Sequence, residues 1–217
     1  MEIKRTANAG VLLRLDGKSI LLDGVCEEVK PYLPTPDRER EELLNSLPDA
    51  VAFTHHHRDH CDDAFVSAYQ KTAAGPILGP ADIPFSTAET VTLGDVRITQ
   101  IPTRHLGAAA GIGHHSFIVE GSQCVWFLGD AAPAQFRKMT HLPRPDVLIA
   151  PFAYGIGSSW KLTGELGPDT VVLVHLPNKD CDPYELWDSV EKTIALGNGP
   201  AVVIPEMGAT VNIPNRE

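Results

Sequence analysis

The sequence lacks the features that mark membrane, secreted and nucleic-acid-binding proteins. No apolar run reaches the roughly 20 residues of a membrane-spanning helix, and the first five residues do not begin a signal peptide. The four cysteines are scattered and form no Cys-x-x-Cys pair, so we expect reduced thiols in a cytoplasmic protein. The formal net charge of −10, without a basic cluster, argues against a nucleic-acid surface.

The composition is that of an ordinary globular protein. Of the 217 residues, 43% are apolar and 21% are charged, which provides enough apolar material for one buried core. No repeat, low-complexity segment or linker interrupts the chain, so we predict a single domain over 1–217. The sequence leaves homo-oligomerisation open.

The apolar pattern predicts mainly strands early in the chain and mixed strands and helices later. Helices are predicted over 37–47, from Asp63 through Tyr69, in the connection between strands 147–150 and 171–174, and from Asp182 to Gly197. We expect Asp63 to cap the second helix, and Pro183 to occupy the first position of the last one. Strands are predicted at 11–15, 19–22, 50–53, 90–93, 96–101, 116–120, 124–128, 147–150, 171–174, 201–204 and 210–213.

The most informative stretch is a dense group of metal-ligand side chains directly behind the predicted strand 50–53. It reads His55-x-His57-x-Asp59-His60. A turn that leaves a buried strand can aim several side chains into one space, and imidazole and carboxylate groups are ligands of divalent ions. A polar loop with chance histidines is the alternative, and it is disfavoured because further ligands follow in order along the chain.

The further candidate ligands stand where later predicted strands end. His105 follows strand 96–101, Asp130 follows strand 124–128, and His175 follows strand 171–174. Gly129, directly before Asp130, has no side chain and would let the backbone turn close to bound metal ions. The set contains five histidines and two aspartates, a number that suits two ions roughly 3.5–4 Å apart.

In this order the ligands resemble those of the metallo-β-lactamase fold superfamily of metallohydrolases, and the resemblance covers nearly the whole chain. It implies an α/β (α+β) fold, a four-layer αββα sandwich with two mixed sheets between helical layers. It also implies that His55, His57 and His105 hold one metal, that Asp59, His60 and His175 hold the other, and that Asp130 bridges them. Asp23 is expected either to orient a ligand imidazole or simply to form a turn.

The resemblance implies a hydrolase with two divalent ions, zinc being favoured and manganese or iron left open. Such ions would lower the pKa of a bridging water toward about 7 and supply hydroxide. Asp59 and Asp130 are the predicted catalytic residues, because Asp130 joins the metals and Asp59 orients the hydroxide or carries its proton. The expected substrate is a small ester, lactone or phosphodiester.

Departures from better-known branches narrow this prediction. Asp130 stands where β-lactamases carry Cys or Ser, and His57 stands where flavin-partnered di-iron oxygen reductases carry Glu. The chain also lacks the helical domain of glyoxalase II and the basic arm of tRNA 3′-end nucleases, so it looks closest to the compact lactonase-like branch. The alternatives are a mononuclear iron oxidoreductase similar to persulfide dioxygenase, an RNA-processing phosphodiesterase, and a non-catalytic binding protein.

Several polar residues remain outside the ligand set. His114 and His115 follow the glycine-rich segment 107–113, and we expect either a mobile loop with one histidine facing substrate or a solvated connection. His56 is expected to pack or hydrogen-bond behind the motif, and His141 to lie at the surface. Cys61 is expected to be a small buried filler.

The segment 154–161 lies between two predicted core strands and allows two interpretations. Tyr154, Ser158 or Lys161 would bind a substrate anion, or the segment would be a structural turn, which we favour.

Overall fold

The computed structural model describes residues 1–72, 74–87, 89–107, 111–197 and 199–214, and these residues form two mixed β-sheets. The six strands of the first sheet are β1 (Glu2–Arg5), β2 (Val11–Leu15), β3 (Lys18–Leu22), β4 (Ala50–Ala52), β5 (Ile77–Leu78) and β13 (Thr210–Asn212). They lie in the order β13-β1-β2-β3-β4-β5. The pairs from β13 to β3 are antiparallel, and β3, β4 and β5 are parallel.

The second sheet has the same division into an antiparallel and a parallel half. Its strands are β6 (Val91–Leu93), β7 (Val96–Pro102), β8 (His115–Glu120), β9 (Cys124–Phe127), β10 (Val147–Pro151), β11 (Thr170–Val174) and β12 (Ala201–Val203). They lie in the order β12-β11-β10-β9-β8-β7-β6, with β6 to β9 antiparallel and β9 to β12 parallel.

Both sheets carry apolar side chains on each of their two faces. Successive residues of a strand point to opposite sides of the sheet, so they pack into different apolar clusters. Leu13 and Ile20 belong to the core between the sheets, whereas Leu12 and Leu21 pack beneath two helices on the outer face. These helices are α1 (Asp37–Ser46) and α2 (Asp63–Thr72). On the second sheet, Trp126 and Leu148 point outward into a third apolar cluster.

That third cluster joins the second sheet to α3 (Gly157–Leu166) and α4 (Leu186–Ala195). Helices therefore cover both outer faces, and the predicted four-layer αββα sandwich is confirmed. Among the described helices, none is both long and apolar enough to cross a membrane.

The structure corrects one predicted helix cap and one predicted helix start. Asp62, rather than Asp63, caps α2, because its Oδ1 accepts a hydrogen bond of 2.8 Å from the backbone N–H of Phe65. The last helix begins at Leu186, three residues after Pro183, so Pro183 does not occupy its first position. Asp182 still stabilises the first turn of this helix, because its Oδ2 accepts a hydrogen bond of 2.9 Å from the backbone N–H of Trp187.

Candidate metal centre

The predicted ligands lie on loops that follow four strands, and backbone hydrogen bonds hold these loops together. The motif follows β4, His105 follows β7, Asp130 follows β9 and His175 follows β11. The loop after β7 is fastened to the loop after β9, because the N–H of Leu106 donates to the carbonyl of Asp130 at 2.7 Å. The ligands therefore converge at one edge of the sandwich, as expected from the sequence.

Gly129 permits the closest approach between two of these loops. Its φ is 52°, and a Cβ at this position would lie 2.5 Å from the side chain of Thr54. No side chain fits that distance, so any other residue would push Asp130 away from the motif. The interpretation of Gly129 from the sequence agrees with this geometry.

The seven predicted ligands form two groups of three around one further carboxylate. We call His55, His57 and His105 the first triad, and Asp59, His60 and His175 the second triad. In each triad the ligand atoms lie within 4.8 Å of one another. Within the first triad, His55 Nε2 lies 2.9 Å from His57 Nδ1.

Asp130 lies between the triads. Its Oδ2 is 3.6 Å from His105 Nε2 in the first triad, and 3.5 Å and 3.7 Å from the Nε2 atoms of His60 and His175 in the second. These distances are too long for good hydrogen bonds. They match the separation of about 3.3 Å between two ligand atoms bound at roughly 2.0–2.1 Å to one tetrahedral ion.

Asp23 sets the ring tautomers of His55 and His60. It is fully buried, and its Oδ2 accepts from His60 Nδ1 at 2.8 Å and from Thr54 Oγ1 at 2.6 Å. Because the Thr54 hydroxyl donates to Asp23, it must accept from His55 Nδ1, which lies 2.9 Å away. His55 therefore carries its proton on Nδ1 and presents a lone pair on Nε2, and His60 also donates from Nδ1, which leaves its Nε2 as the atom that a metal would bind. Of the two interpretations of Asp23, the orienting one fits the structure.

His105 and His175 are held through their Nδ1 atoms as well. His105 Nδ1 donates to the carbonyl of Leu106 at 2.6 Å, and His175 Nδ1 lies 3.2 Å from the side-chain nitrogen Nδ2 of Asn8. His175 also adopts a left-handed φ of 59°, while its N–H donates to the Asn8 carbonyl at 2.9 Å. This φ is costly for a residue with a side chain, so Asn8 holds both the backbone and the ring of His175 in place.

Among the described residues, the Nε2 atoms of His60, His105 and His175 are buried without a hydrogen-bond partner. Each such atom costs about 1–3 kcal/mol when it stays unpaired. All three lie around the same carboxylate oxygen. Divalent cations fit this donor set, because neutral imidazole and carboxylate groups are their usual ligands.

The charges of the site also favour cations. Burial opposes ionisation of Asp130, but the neighbouring histidines, His175 foremost, hold its pKa well below the ordinary value. Burial likewise opposes ionisation of Asp59, yet the hydrogen bond and charge of His175 and the charge of His60 lower its pKa to about 2. In the first triad, burial lowers the pKa of His55 and His57, so both rings stay neutral. Two anionic carboxylates thus face the uncharged imidazoles of His55 and His57, whereas, against the effect of burial, Asp130 and Asp23 raise the pKa of His60 well above its ordinary value.

His114 belongs to this site, although its role was left undecided at the sequence level. Its ring lies 5.0 Å from the ring of His55 and 5.6 Å from that of His105. It is 3% exposed, which excludes the solvated alternative, and burial lowers its pKa to about 3. His115 is half-buried with Nδ1 3.1 Å from Gln100 Oε1, and residues 108–110 of the predicted mobile loop lie outside the described residues.

A directed chain of hydrogen bonds sets the tautomer of His114. Ser116 Oγ donates to the carbonyl of Leu128 at 2.9 Å, so it accepts from Thr103 Oγ1 at 3.2 Å. The Thr103 hydroxyl must then accept from His114 Nδ1 at 2.7 Å. We call this chain the threonine relay. It leaves the lone pair of His114 on Nε2, which is buried beside the first triad without a partner in the described residues.

Tyr32 also lies beside the site, and sequence reasoning did not single it out. Its ring packs edge-on against His175 with the centroids 4.4 Å apart. Burial, followed by the charges of Asp130 and Asp59, raises the pKa of Tyr32 to about 12, so the phenol keeps its proton. Tyr32 is therefore a neutral hydrogen-bond donor beside the second triad. Tyr32 is far from the motif in sequence and is not a metal-ligand residue type, so no pattern in the sequence could have identified it.

The residues that the sequence placed outside the site are mostly where they were expected. His56 points away from the triads, with Nε2 2.8 Å from Asp63 Oδ1, and His141 is exposed. Cys61 is a buried member of the apolar cluster beneath α1 and α2. Tyr154 is fully buried and donates to the carbonyl of Ala131 at 2.8 Å, which gives it a structural role.

The segment 154–161 is helical for most of its length. It contains the end of a short 3₁₀ helix and the first half of α3, in which Ser158 and Lys161 are exposed. The structural interpretation of this segment therefore agrees with the fold, although the element is a helix rather than a turn.

Comparison with known proteins gives matches that extend over most of the chain. A model of the β-lactamase superfamily domain matches residues 2–175, a range that contains all seven predicted ligands. A protein of Methanopyrus kandleri named as a UPF0173 metal-dependent hydrolase is 25% identical over 235 aligned residues, covering 96% of this chain and 98% of that protein.

Two solved structures share the fold over their full length. A possible metal-dependent hydrolase from Veillonella parvula has a TM-score of 0.76 at 17% identity, and the match covers 98% of this chain and 99% of the other. An isothiocyanate hydrolase from Delia radicum gut bacteria has a TM-score of 0.71 at 19% identity, with both chains covered completely.

Proposed function

The chain belongs to the β-lactamase superfamily, and from this premise we propose that it is a metal-dependent hydrolase that uses two divalent ions. The relative from Methanopyrus kandleri carries the name of a metal-dependent hydrolase, which supports the reaction class. The proposed substrate is a small ester, lactone or phosphodiester, and zinc is the favoured metal, with manganese or iron as alternatives.

One observation supports the dinuclear centre above all others. The first and second triads each offer three ligand atoms, and a single oxygen of Asp130 lies within 3.7 Å of a ligand atom in both. A mononuclear site would leave one triad buried without a cation. Two ions bound there would lower the pKa of a water toward about 7 and offset negative charge on the reacting oxygen of the substrate.

The protein's own groups prepare this chemistry. Asp130 joins the two triads, and Asp23 keeps the lone pairs of His55 and His60 turned toward the centre. Asp59 Oδ2 faces His175 at 3.4 Å, which leaves Oδ1 to accept a hydrogen bond from the attacking water. A carboxyl with a pKa of about 2 is a weak base, so Asp59 orients this water rather than removing its proton.

The first test is metal content per chain, measured by inductively coupled plasma mass spectrometry on full-length protein purified without chelator or histidine tag. About two equivalents of zinc or manganese are expected. A single equivalent of iron would instead support the alternative of a mononuclear oxidoreductase. Protein that takes up no metal after reconstitution would refute the proposal.

The second test compares paired variants on lactones, thioesters and phosphodiesters. We expect Asp130→Asn and His57→Ala to abolish hydrolysis, because each loosens the metal pair. The matched controls are Asp95→Asn in an exposed turn and His56→Ala outside the triads, and both should keep wild-type activity. Full activity with full metal content in either centre variant would contradict the assignment.

A further inference from the structure

A cleft of about 270 Å³ lies beside the metal centre, and Asn8 and Leu176 belong to its wall. Asn8 contacts the Nδ1 side of His175, whereas His175 Nε2 faces Asp59 and Asp130 on the opposite side. The cleft is therefore separate from the space between the triads. Its volume suits a ligand smaller than a typical drug molecule.

Most of the cleft wall is apolar. Leu33, Trp187 and Met207 contribute to it, and Leu33 is 49% exposed to solvent. The indole Nε1 of Trp187 already donates to the carbonyl of Pro177 at 2.8 Å, so the ring offers the cleft only its apolar surface. A hydrocarbon group that covers these side chains would be stabilised by about 25 cal/mol for each Å² of apolar surface removed from water.

Arg5 introduces a buried positive charge into this apolar wall. The residue is only 7% exposed, and its guanidinium donates to three carbonyls, those of Ala7, Pro205 and Asn8, at 3.1–3.3 Å. These bonds use three of its five N–H groups. Arg5 forms no ion pair within the described residues, and burial lowers its pKa. A buried charge without a counter-ion is costly, and an anion in the cleft would offset that cost.

The other charges around the cleft indicate a ligand with a single negative charge. Lys179 is already paired with Glu191 at 3.1 Å and lies 4.4 Å from the centre of the Trp187 ring. Glu206 also lines the cleft and would repel a dianion. One carboxylate would neutralise Arg5 and match the planar geometry of its remaining N–H groups.

We propose that this cleft binds a small monocarboxylate with an apolar body. The carboxylate meets the free N–H groups of Arg5, and the hydrocarbon part lies against Leu33, Trp187 and Met207. This site lies beyond the proposed hydrolytic centre, and binding to it does not require that the protein is a hydrolase.

The probe is hexanoate, titrated by isothermal calorimetry into the full-length, metal-containing protein. We expect a Kd on the order of 1 mM, which is ordinary for a ligand of this size. Hexanamide, which has the same length without the charge, and acetate, which has the charge without the chain, should each bind about tenfold more weakly. Equal binding of hexanoate and hexanamide would refute the role of Arg5.

Variants of Leu33 test the site without disturbing the interior, since this side chain is half exposed. Relative to Leu33→Gln, we expect Leu33→Glu to weaken hexanoate binding about fivefold and Leu33→Lys to strengthen it by a similar factor. Arg5→Lys keeps the charge but loses the planar fork, and it should weaken binding as well. Arg5 also donates hydrogen bonds to three carbonyls, so Arg5→Lys could fail to fold. In that case the Leu33 variants alone test the proposal. The same Kd in all three Leu33 variants would overturn the proposal.

Carboxylates also bind divalent ions, so the titration is repeated on full-length protein dialysed against a chelator. Binding that persists without metal supports the cleft, and binding that disappears with the metal places hexanoate at the triads and overturns the proposal. Inorganic phosphate provides the last comparison. If phosphate binds as tightly as hexanoate, the site is a general anion site and the assignment to a monocarboxylate is wrong.

Discussion

Replacement of Asp23 by Asn tests whether the buried carboxylate behind the ligands controls metal binding. Asp23 accepts hydrogen bonds from Thr54 N–H at 2.7 Å, from Thr54 Oγ1 at 2.6 Å and from His60 Nδ1 at 2.8 Å. All three groups donate, and an amide has only one oxygen with which to accept. Asn tolerates the left-handed φ of 45° at this position, so the backbone should not change.

Either orientation of the new amide leaves a conflict. If its NH₂ group replaces Oδ2, His60 must accept on Nδ1 and carry its proton on Nε2, where the metal would bind. If its oxygen replaces Oδ2, the NH₂ group faces the backbone N–H of Thr54, and two donors oppose each other. Loss of such orienting groups lowers metal affinity about 10–100-fold, which corresponds to roughly 1.4–2.7 kcal/mol. Apart from this effect on metal binding, the unmatched donors should lower the free energy of unfolding of the metal-free variant by about 1.5–3 kcal/mol relative to the metal-free wild type.

The measurement is a competition titration with a chromogenic chelator, together with urea unfolding of the metal-free chain. Asp62→Asn is the matched control, because Asp62 is a buried aspartate that caps α2 and pairs with Arg40 without contacting any ligand. This control should lose stability and keep its metal affinity. Wild-type metal affinity in Asp23→Asn would refute the orienting role, and an equal loss in both variants would reduce the effect to general destabilisation.

Two further predictions concern the threonine relay and the dependence of metal binding on pH. Thr103→Val removes the hydroxyl that accepts from Nδ1 of the buried His114 ring, so it should lower the free energy of unfolding by about 1–3 kcal/mol. The control Thr92→Val, on the exposed face of β6, should leave the free energy of unfolding unchanged. Urea unfolding measures both, and equal stabilities would contradict the relay. Burial disfavours charge on His60, yet Asp130 and Asp23 raise its pKa well above the ordinary value, so protons compete with metal there first as the pH falls. The second triad should thus release its ion at a higher pH than the first, in which burial lowers the pKa values of His55 and His57. Metal content after dialysis across a pH series should fall in two steps, and a single step would be the contrary result.

The candidate ligands could be picked out from the sequence because each of these residue types is rare in buried positions and each candidate or motif follows a strand. The motif from His55 to His60, and then His105, Asp130 and His175, stands in an order that a chance arrangement would not produce. The two triads contain the predicted members. The four-layer sandwich was predicted from the resemblance of this ligand order to the metallo-β-lactamase fold superfamily, and the apolar clusters on both faces of β2 and β3 agree with it.

Local sequence could not decide between neighbouring residues that have the same chemistry. Asp62 and Asp63 are both able to cap α2, and only the packed structure shows that Asp62 does so while Asp63 contacts His56. The last helix was predicted to begin at Pro183, but the chain continues as a turn to Glu185, whose left-handed φ of 52° precedes the helix. Capping depends on which backbone N–H groups remain free, and that is settled by tertiary contacts.

The sequence by itself determined which atoms can bind metal, because ligand chemistry is a property of the residue type. Only the tertiary structure decided how those atoms are turned, because the groups that hold the candidate ligand rings and their backbone in place come from distant parts of the chain. Asn8 is separated from His175 by 167 positions, and Asp23 from His60 by 37. The same holds for the cleft at Arg5, where a carbonyl of Pro205 is brought from 200 positions away. Neither periodicity nor motif spacing records such contacts, since they exist only after the two sheets have packed together.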